Sequence, residues 1–381
     1  MLEHRSPWMN EELEIFRDAV QKFVAAEMAP NEEKWCEQHH VDLEFWRKCG
    51  EMGLLCTDIP EEYGGVGADF RYEAVLYEET AGKGYSSWGQ GVHSIMANYL
   101  LRHGTEEQKQ QFLPRMAAGE LVGAIAMSEP GAGSDLQNIR TRATRDGDHY
   151  RINGSKMFIT NGYVAGIIGV VCKTDPAEGA KGTSIILVET KDLEGFQVGR
   201  ILEKIGMKGQ DTSELFFDDV KVPASNLLGG EEGRGFYQLM NDLPYERTLL
   251  ALTGVAAMET ALDLTIDYTR ERKAFNKSLL EMQTIRHKLA ELKTITRVAR
   301  VFIDDCVEKV VDGTLDKETA SMAKWWCTDM QCKVMDECLQ LFGGYGYMME
   351  YPIARLYTDA RVQKIYGGTN EIMKELISRS L

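Results

Sequence analysis

The 381-residue sequence lacks the patterns that mark metal sites, disulfide frameworks and nucleotide-binding loops. Its eight cysteines form no C-x-x-C pair and its seven histidines form no H-E-x-x-H, so we predict free thiols and no metal site. Neither G-x-G-x-x-G nor G-x-x-x-x-G-K-[ST] occurs. A Rossmann domain, a kinase and a P-loop nucleotidase are therefore not supported.

Basic charge and long apolar runs are also scarce. Lys and Arg number 43 against 59 Asp and Glu, and a net charge of −16 argues against binding to nucleic acid or to an anionic membrane. No apolar run approaches the roughly 18 residues of a membrane span. The N-terminus has neither the apolar block of a signal peptide nor the Arg and Ser content of a transit peptide. We expect a cytoplasmic protein, with the mitochondrial matrix as the alternative if a transit peptide was removed.

Changes in hydrophobic period divide the chain into three zones. Residues 1–120 carry helical stripes of apolar residues, the first of which comprises Leu13, Phe16, Ala19, Val20 and Phe23. Residues 121–230 contain short β-rich runs, namely GAIAMS, HYRINGSKMFIT, GIIGVVCKT, TSIILVET and SELFFDDVKV. Turn signals at Asp146-Gly147 and Asn153-Gly154 lie among them, so this zone predicts an antiparallel β-domain. Residues 231–381 carry long amphipathic patterns that are typical of an antiparallel helical bundle. The predicted class is α+β, mainly α.

Several short motifs have both a structural and a functional interpretation. MSEPGAGSD, residues 127–135, is typical of a hairpin corner, yet its exposed backbone N–H groups could also hold a planar polar ring or a phosphate. MFITNG puts Phe158 and Thr160 on one face of a strand, which suits a flat heterocycle or a core edge. QLFGGYGY, residues 340–347, predicts a helix C-cap, and IYGGTNEIM, residues 365–373, predicts a helix N-cap.

A carboxylate stands at the edge of an apolar segment in LPYERTLLAL. Glu246 and Arg247 are adjacent, and no charged residue follows from Thr248 to Met258. A poorly solvated carboxylate has a raised pKa, which suits a general base. The alternatives are an acid at a helix start, favoured by the helix dipole, and an ion pair with Arg247.

The order of these motifs carries a family resemblance. MSEPGAGSD, KMFITNG, PYER, ERKAFNK, QLFGGYGY and IYGGTNEI follow one another at spacings that resemble the acyl-CoA dehydrogenase family over essentially the whole chain. QDTSELFF, and Phe158 where many relatives have Trp, most resemble the long-chain type. The resemblance implies an N-terminal helical domain (1–120), a middle antiparallel β-domain (121–230) and a C-terminal four-helix bundle (231–381).

The resemblance also implies the cofactor FAD and the residues that bind it and the acyl-CoA. The implied FAD residues are Ile125, Met127, Ser128, Gly133, Ser134, Phe158, Thr160, Arg272, Phe275, Gln283, Gln340, Gly343, Gly344, Thr369 and Glu371. The implied substrate residues are Ser134, Tyr237, Tyr245, Arg247, Tyr366 and Gly368.

The implied reaction is α,β-dehydrogenation of a medium- or long-chain acyl-CoA to the trans-2-enoyl-CoA. An α-hydrogen leaves as a proton and a β-hydrogen as a hydride to the flavin. Many relatives place the catalytic Glu where this chain has Gly367, whereas the isovaleryl and long-chain types supply it from the position that Glu246 fills. We therefore expect Glu246 to be the base, and the N–H of Gly367 to bind the thioester oxygen together with a flavin ribityl hydroxyl.

The resemblance further implies a homotetramer that passes electrons to electron-transfer flavoprotein. Three alternatives remain at this stage. They are a short branched-chain enzyme of the isovaleryl type, a flavin oxidase or monooxygenase of the same fold, and a non-catalytic helical scaffold.

Overall fold

A computed structural model describes residues 4–381 and confirms the predicted class, mainly helical with a curled sheet in the middle of the chain. The helices are α1 (Glu11–Phe23), α2 (Glu32–Gln38), α3 (Leu43–Glu51), α4 (Phe70–Glu79), α5 (Gln90–His103), α6 (Glu106–Ala117), α7 (Gly235–Glu271), α8 (Gln283–Val311), α9 (Lys317–Phe342), α10 (Pro352–Ala360) and α11 (Asn370–Ser378). The strands are β1 (Gly123–Ala126), β2 (Arg142–Asp146), β3 (His149–Thr160), β4 (Ile167–Lys173), β5 (Thr183–Glu189), β6 (Phe196–Ile201), β7 (Thr212–Pro223), β8 (Lys273–Ala274) and β9 (Lys277–Ser278).

The first helix shows how the local sequence sets the N-terminal packing. The side chain of Asn10 accepts a hydrogen bond from the N–H of Leu13 at 2.9 Å and caps α1. Leu13, Val20 and Phe23 lie on the predicted stripe and are buried. The stripe therefore faces the core, as the period of 3.6 residues requires.

The sheet is mixed, so the prediction of an antiparallel β-domain needs a correction. The sheet has seven strands. Six of them follow the order β1-β4-β2-β3-β7-β6, and the seventh, β5, pairs with β4. Most pairings are antiparallel, but β1 runs parallel to β4 over four residue pairs. A parallel neighbour needs a crossover connection, and the chain between β1 and β4 includes the whole β2–β3 hairpin.

The turn predicted at Asn153-Gly154 is wrong, whereas Asp146-Gly147 does connect β2 to β3. Asn153 and Gly154 lie inside β3 at a register shift against β7, where Gly154 has φ +150°. A Cβ on Gly154 would lie 2.5 Å from Oγ1 of Thr141, so glycine permits this close approach. A bulge and a turn use the same residue types, which explains the error.

Helix α7 begins at Gly235, so Glu246 lies in its fourth turn and not at its start. The interpretation of Glu246 as an acid at a helix start is therefore wrong. Among residues 4–381, α7 alone is long and apolar enough, by length and composition, to cross a membrane. However, 67% of its most apolar 18-residue window is buried inside the fold, because α7 packs between α4, α8 and α9.

Candidate active site

Glu246 is buried against α5. Its side chain accepts a hydrogen bond from the hydroxyl of Tyr99 at 2.9 Å. Only 8% of Glu246 and none of Tyr99 is exposed. Burial raises the pKa of Glu246 from 4.5 to about 7, against the hydrogen bond from Tyr99, which lowers it. A carboxylate with this pKa can take up and release a proton near neutral pH.

A charged cluster occupies the preceding turn of α7. Asp242 accepts a hydrogen bond from Arg102 at 2.6 Å and contacts Nε2 of His103 at 2.7 Å. The negative charge of Asp242 raises the pKa of Glu246, after burial and the Tyr99 hydrogen bond in size. Tyr245 directly precedes Glu246, and its hydroxyl donates a hydrogen bond to Asp58 at 2.9 Å. Tyr245 is therefore part of a buried hydrogen-bonded cluster beside the base.

Arg247 points away from Glu246. No ion pair joins these two side chains in the described part of the chain, so the predicted alternative of an ion pair is wrong. Arg247 is 3% exposed and donates to the hydroxyl of Ser321 at 2.9 Å, while its Nε lacks a hydrogen-bond partner. Burial lowers its pKa, although Glu246 raises it. Arg247 thus lies between α7 and α9.

Gly367, the first of two adjacent glycines, approaches α7 one turn beyond Glu246. Gly367 has φ +61° and Gly368 has φ +87°, in the left-handed region that glycine favours. A Cβ on Gly367 would lie 2.3 Å from Cδ1 of Leu250. Leu250 follows Glu246 by four residues and lies on the same face of the helix. The structure therefore brings Glu246 and Gly367 to one region through Leu250.

The loop that carries these glycines is held by buried polar groups. Lys324 donates to the carbonyl oxygen of Gly368 at 2.6 Å and to Oδ1 of Asn370 at 2.9 Å. Thr369 caps α11 by accepting a hydrogen bond from the N–H of Ile372, as predicted. Burial lowers the pKa of Lys324 to about 8.

The two sheet motifs also meet. The N–H of Met157 donates to the carbonyl of Ser128 at 3.0 Å, which joins the loop after β1 to the end of β3. Phe158 has φ +61° and is 64% exposed, because the ladder with β7 shifts register between Lys156 and Ile159. Thr160 is partly exposed beside it. An exposed aromatic ring and a hydroxyl therefore lie next to the 127–135 loop.

Beneath that loop lies a buried ion pair. Lys156 donates to Glu129 and to the carbonyl of Met127, both at 2.9 Å. Glu129 also accepts the N–H of Arg140 and of Thr141. These bonds fix both ends of the glycine-containing segment. A Cβ on Gly131 or Gly133 would meet nothing within 4 Å, so open space lies beside the backbone.

The Arg272 group lies beyond the end of α7 and comprises Arg272, Phe275, Gln283, Gln340, Gly343 and Gly344. The guanidinium of Arg272 lies 5.6 Å from the ring centre of Tyr345, which brings the Arg272 segment to the turn after α9. Phe275 is 91% exposed at the tip of the β8–β9 hairpin. RERKAF is thus a helix end followed by a hairpin. The exposed residues near it include Gln283, Gln340, Gly343 and Gly344.

The predicted site residues fall into three groups. Glu246 and residues 366–371, connected through Leu250, form the first. The 127–135 loop with Phe158 and Thr160 forms the second, and the Arg272 group forms the third. Ile125 and Met127 pack on the apolar cluster that contains Tyr99, which connects the second group to the first. Within residues 4–381, no hydrogen bond or ion pair joins the third group to Glu246.

Tyr237 lies outside the three groups, whereas Ser134, Tyr366 and Glu371 belong to them but make none of the contacts described above. Tyr237 is 54% exposed and stacks under Arg234 at 4.8 Å, near the start of α7. Ser134 and Glu371 are exposed, and burial raises the pKa of Tyr366. Among residues 4–381, no group of three His, Cys, Asp or Glu side chains could hold a metal ion.

Sequence reasoning missed the residues that support the base and the loop. Tyr99 lies in an apolar stretch of α5, and Lys324 lies in the middle of α9 among buried residues. A lysine inside a predicted buried stripe is a detectable signal, because lysine is seldom fully buried without partners. No comparable signal marks Tyr99.

Family models that match three parts of the chain identify an oxidoreductase of the acyl-CoA dehydrogenase class. The model described as acyl-CoA dehydrogenase, N-terminal domain, matches residues 10–120. The models for the middle and C-terminal domains match residues 124–220 and 233–381. The chain belongs to the acyl-CoA dehydrogenase family.

Individual proteins give the same result. The chain is 50% identical over 373 residues to the long-chain specific acyl-CoA dehydrogenase of Rattus norvegicus, covering 97% of this chain and 86% of the relative. The crystal structure of an acyl-CoA dehydrogenase from Geobacillus kaustophilus matches with TM-score 0.96 and 48% identity, covering 99% of each chain. A glutaryl-CoA dehydrogenase from Mycobacterium smegmatis, solved with FADH2, matches with TM-score 0.90 and 29% identity, covering 98% and 95%. These similarities support acyl-CoA dehydrogenation.

Proposed function

We propose that the protein is an FAD-dependent dehydrogenase of medium- or long-chain acyl-CoA thioesters with Glu246 as its base. The observation that carries the proposal is a buried carboxylate, with its pKa raised to about 7, one helical turn from the leucine that contacts Gly367. Gly367 occupies the position at which many relatives carry the catalytic Glu, and it has no side chain that could remove a proton. Glu246 would therefore take the α-proton, and the N–H of Gly367 would bind the thioester oxygen as negative charge develops there.

The residues of the second and third groups fit FAD. An exposed aromatic ring at Phe158 and the hydroxyls of Ser128 and Thr160 suit a flat ring that accepts hydrogen bonds. Open backbone at Gly133 and the exposed guanidinium of Arg272 suit the pyrophosphate. Ile125, Met127, Ser134, Phe275, Gln283, Gln340, Gly343, Gly344, Thr369 and Glu371 would complete the contacts. Bound FAD would supply the hydride acceptor.

The proposed substrate residues surround the base and the helix start. Tyr366 and Gly368 would line the thioester beside Glu246. Ser134 and the exposed Tyr237 would contact the CoA portion. Tyr245 and Arg247 are buried, so we propose that they shape the wall of the acyl site.

We further infer a homotetramer with domains at 1–120, 121–230 and 231–381, and electron-transfer flavoprotein as the acceptor. The exposed apolar side chains of Phe275 and Tyr347, 91% and 84% exposed, support burial of the Arg272 group by another subunit. Light scattering coupled to size exclusion tests the assembly. Cytoplasmic localisation, with the mitochondrial matrix as its alternative, stays a prediction.

The decisive test of the base is Glu246→Gln. This variant should retain FAD and lose turnover of palmitoyl-CoA by about 10³-fold or more, as general bases contribute about 10²–10⁴-fold and the neutral amide cannot replace one. Glu271→Gln on the exposed end of the same helix is the matched control and should keep wild-type turnover. Near-normal turnover in Glu246→Gln would remove Glu246 from the mechanism.

Three measurements separate the alternatives. Rates on isovaleryl-CoA and on a series of straight chains distinguish the branched-chain type from the long-chain type. Oxygen uptake with peroxide formation, in place of reduction of electron-transfer flavoprotein, would indicate an oxidase. A purified protein with no bound flavin would indicate a scaffold.

A further inference from the structure

Lys324 is a fully buried cation that the reaction described above does not use. It lies in α9 with 0% exposure, and its ammonium group contacts the loop before α11. The distances from Nζ are 2.6 Å to the carbonyl oxygen of Gly368 and 2.9 Å to Oδ1 of Asn370. Burying an ammonium group is costly unless such acceptors replace water. The chain therefore retains a costly group at this position, directed at one loop.

The two glycines of that loop need contacts from outside it to fix their conformation. Gly367 and Gly368 have no side chains, and glycine populates many backbone conformations in the absence of restraints. On one side, the α-carbon of Gly367 packs against Leu250 of α7. On the other side, Lys324 of α9 holds the Gly368 carbonyl, two peptide units from the N–H of Gly367.

The residue after the loop strengthens the attachment to α9. Nδ2 of Asn370 donates to Oγ1 of Thr328 and to Oδ1 of Asp329, both at 3.0 Å. Asp329 in turn pairs with Lys364 at 2.8 Å. Asn370 is only 1% exposed, so these bonds are shielded from water. The whole segment is thus tied to α9, with Lys324 closest to the glycines.

We propose that Lys324 is a positioning residue that keeps the N–H of Gly367 directed at the thioester carbonyl oxygen. The inference rests on the proposed function, in which that N–H binds the oxygen. A donor displaced by about 1 Å can reduce turnover by about 10²-fold, even when the residue that moved it never touches the substrate.

The test compares Lys324→Met with Lys173→Met in the flavin-loaded enzyme. Lys173 is a matched control, because it is also buried and donates to a loop carbonyl, that of Gly179, in the middle segment of the chain. Lys324→Met should lower kcat by about 10²-fold while KM changes by less than about threefold. Lys173→Met should keep kcat within about threefold.

A spectroscopic readout reports on the oxygen contact itself. Bound p-dimethylaminocinnamoyl-CoA absorbs further to the red when its carbonyl is polarised, so the wild-type enzyme and Lys173→Met should shift its band and Lys324→Met should lose most of that shift. Lys324→Gln, which keeps a shorter donor, should lie between the two and replaces Lys324→Met if the latter does not fold.

The outcomes are separable. A folded Lys324 variant with wild-type kcat and band shift overturns the positioning role. Equal losses in Lys324→Met and Lys173→Met also overturn it, since they indicate a general effect of removing a buried cation. If the wild-type enzyme neither polarises the chromophore nor oxidises acyl-CoA, the proposed function itself fails.

Discussion

The hydroxyl of Tyr99 donates a hydrogen bond across 2.9 Å to Oε1 of Glu246, and both side chains are buried. This bond stabilises the charged form of the carboxylate, whereas burial destabilises it. The balance between these two effects sets the pH at which the base is deprotonated.

Replacing Tyr99 by Phe should therefore make Glu246 a stronger base that is charged less often. A hydrogen bond to a charged group contributes about 1.5–3 kcal/mol, so its loss should raise the pKa of Glu246 by about one unit or more above 7. In a pH profile of kcat/KM, the acidic limb should move upward by that amount, with activity at pH 6 reduced about tenfold. A profile with an unmoved acidic limb would show that the bond does not influence the base.

The stability of the protein should also report the buried carboxylate. Burial raises the pKa of Glu246 from 4.5 to about 7, so the folded state binds a proton more readily than the unfolded chain between these values. Glu246 therefore contributes less to the free energy of unfolding as pH rises from 4.5 to 7. The total loss, about 3 kcal/mol, is complete once the pH is above 7. Glu246→Gln should raise the melting temperature by a few degrees at pH 8 and hardly at pH 5. An equal gain at both pH values would contradict the raised pKa.

The contact between Gly367 and Leu250 predicts coupling between two substitutions. Gly367→Ala adds one methyl group, which would lie 2.3 Å from Cδ1 of Leu250 and would strain the backbone at φ +61°. This variant should lower kcat/KM by at least about tenfold. Leu250→Ala removes the clash but not the backbone strain. The double variant should therefore regain part of the loss, and a double-mutant cycle on kcat/KM measures the coupling. Additive losses would indicate that the two residues act independently.

A buried charge network should support the fold rather than the chemistry. Arg300 contacts Glu78 and Glu259 at 2.6 Å and lies 3.6 Å from Asp304, which ties α4 and α7 to α8. Arg300→Met removes the cation that the buried carboxylates of Glu78 and Asp304 share, although Arg17 still pairs with Glu78. This variant should reduce the free energy of unfolding by about 3 kcal/mol. Urea unfolding of the flavin-loaded enzyme measures the loss. The kcat of the folded fraction should stay near that of the wild-type enzyme.

Much of the architecture follows from the sequence because burial imposes a period. The stripe of Leu13, Val20 and Phe23 predicts α1, and the β-rich runs predict β3, β4 and β5, as the structure confirms. Of these three strands, β3 alternates in burial along part of its length, whereas β4 and β5 are almost entirely buried. Strands β2 and β6 escape detection because both lie largely exposed and have polar or mixed composition. Asn153-Gly154 misleads because a bulge and a turn need the same conformational freedom.

The site is less predictable, since its geometry depends on residues that are distant in sequence. Glu246 is recognisable by the apolar segment that follows it. Its pKa, however, depends on Tyr99, which comes from another helix about 150 residues earlier. The start of α7 is obscured by Pro244, which the helix accommodates in its interior. The Tyr99 contact has no local sequence pattern, and the buried position of Lys324 in α9 is a signal that does not identify Gly368 as its partner.

Removal of the α-proton by Glu246 is tested most directly by the exchange of the α-hydrogens of a bound acyl-CoA with deuterium from solvent. The exchange is followed by mass spectrometry in the absence of an electron acceptor. The wild-type enzyme should incorporate deuterium at the carbon next to the thioester, and Glu246→Gln should incorporate it at least about 10³-fold more slowly. Exchange in Glu246→Gln at a rate close to that of the wild-type enzyme would show that another group removes the proton.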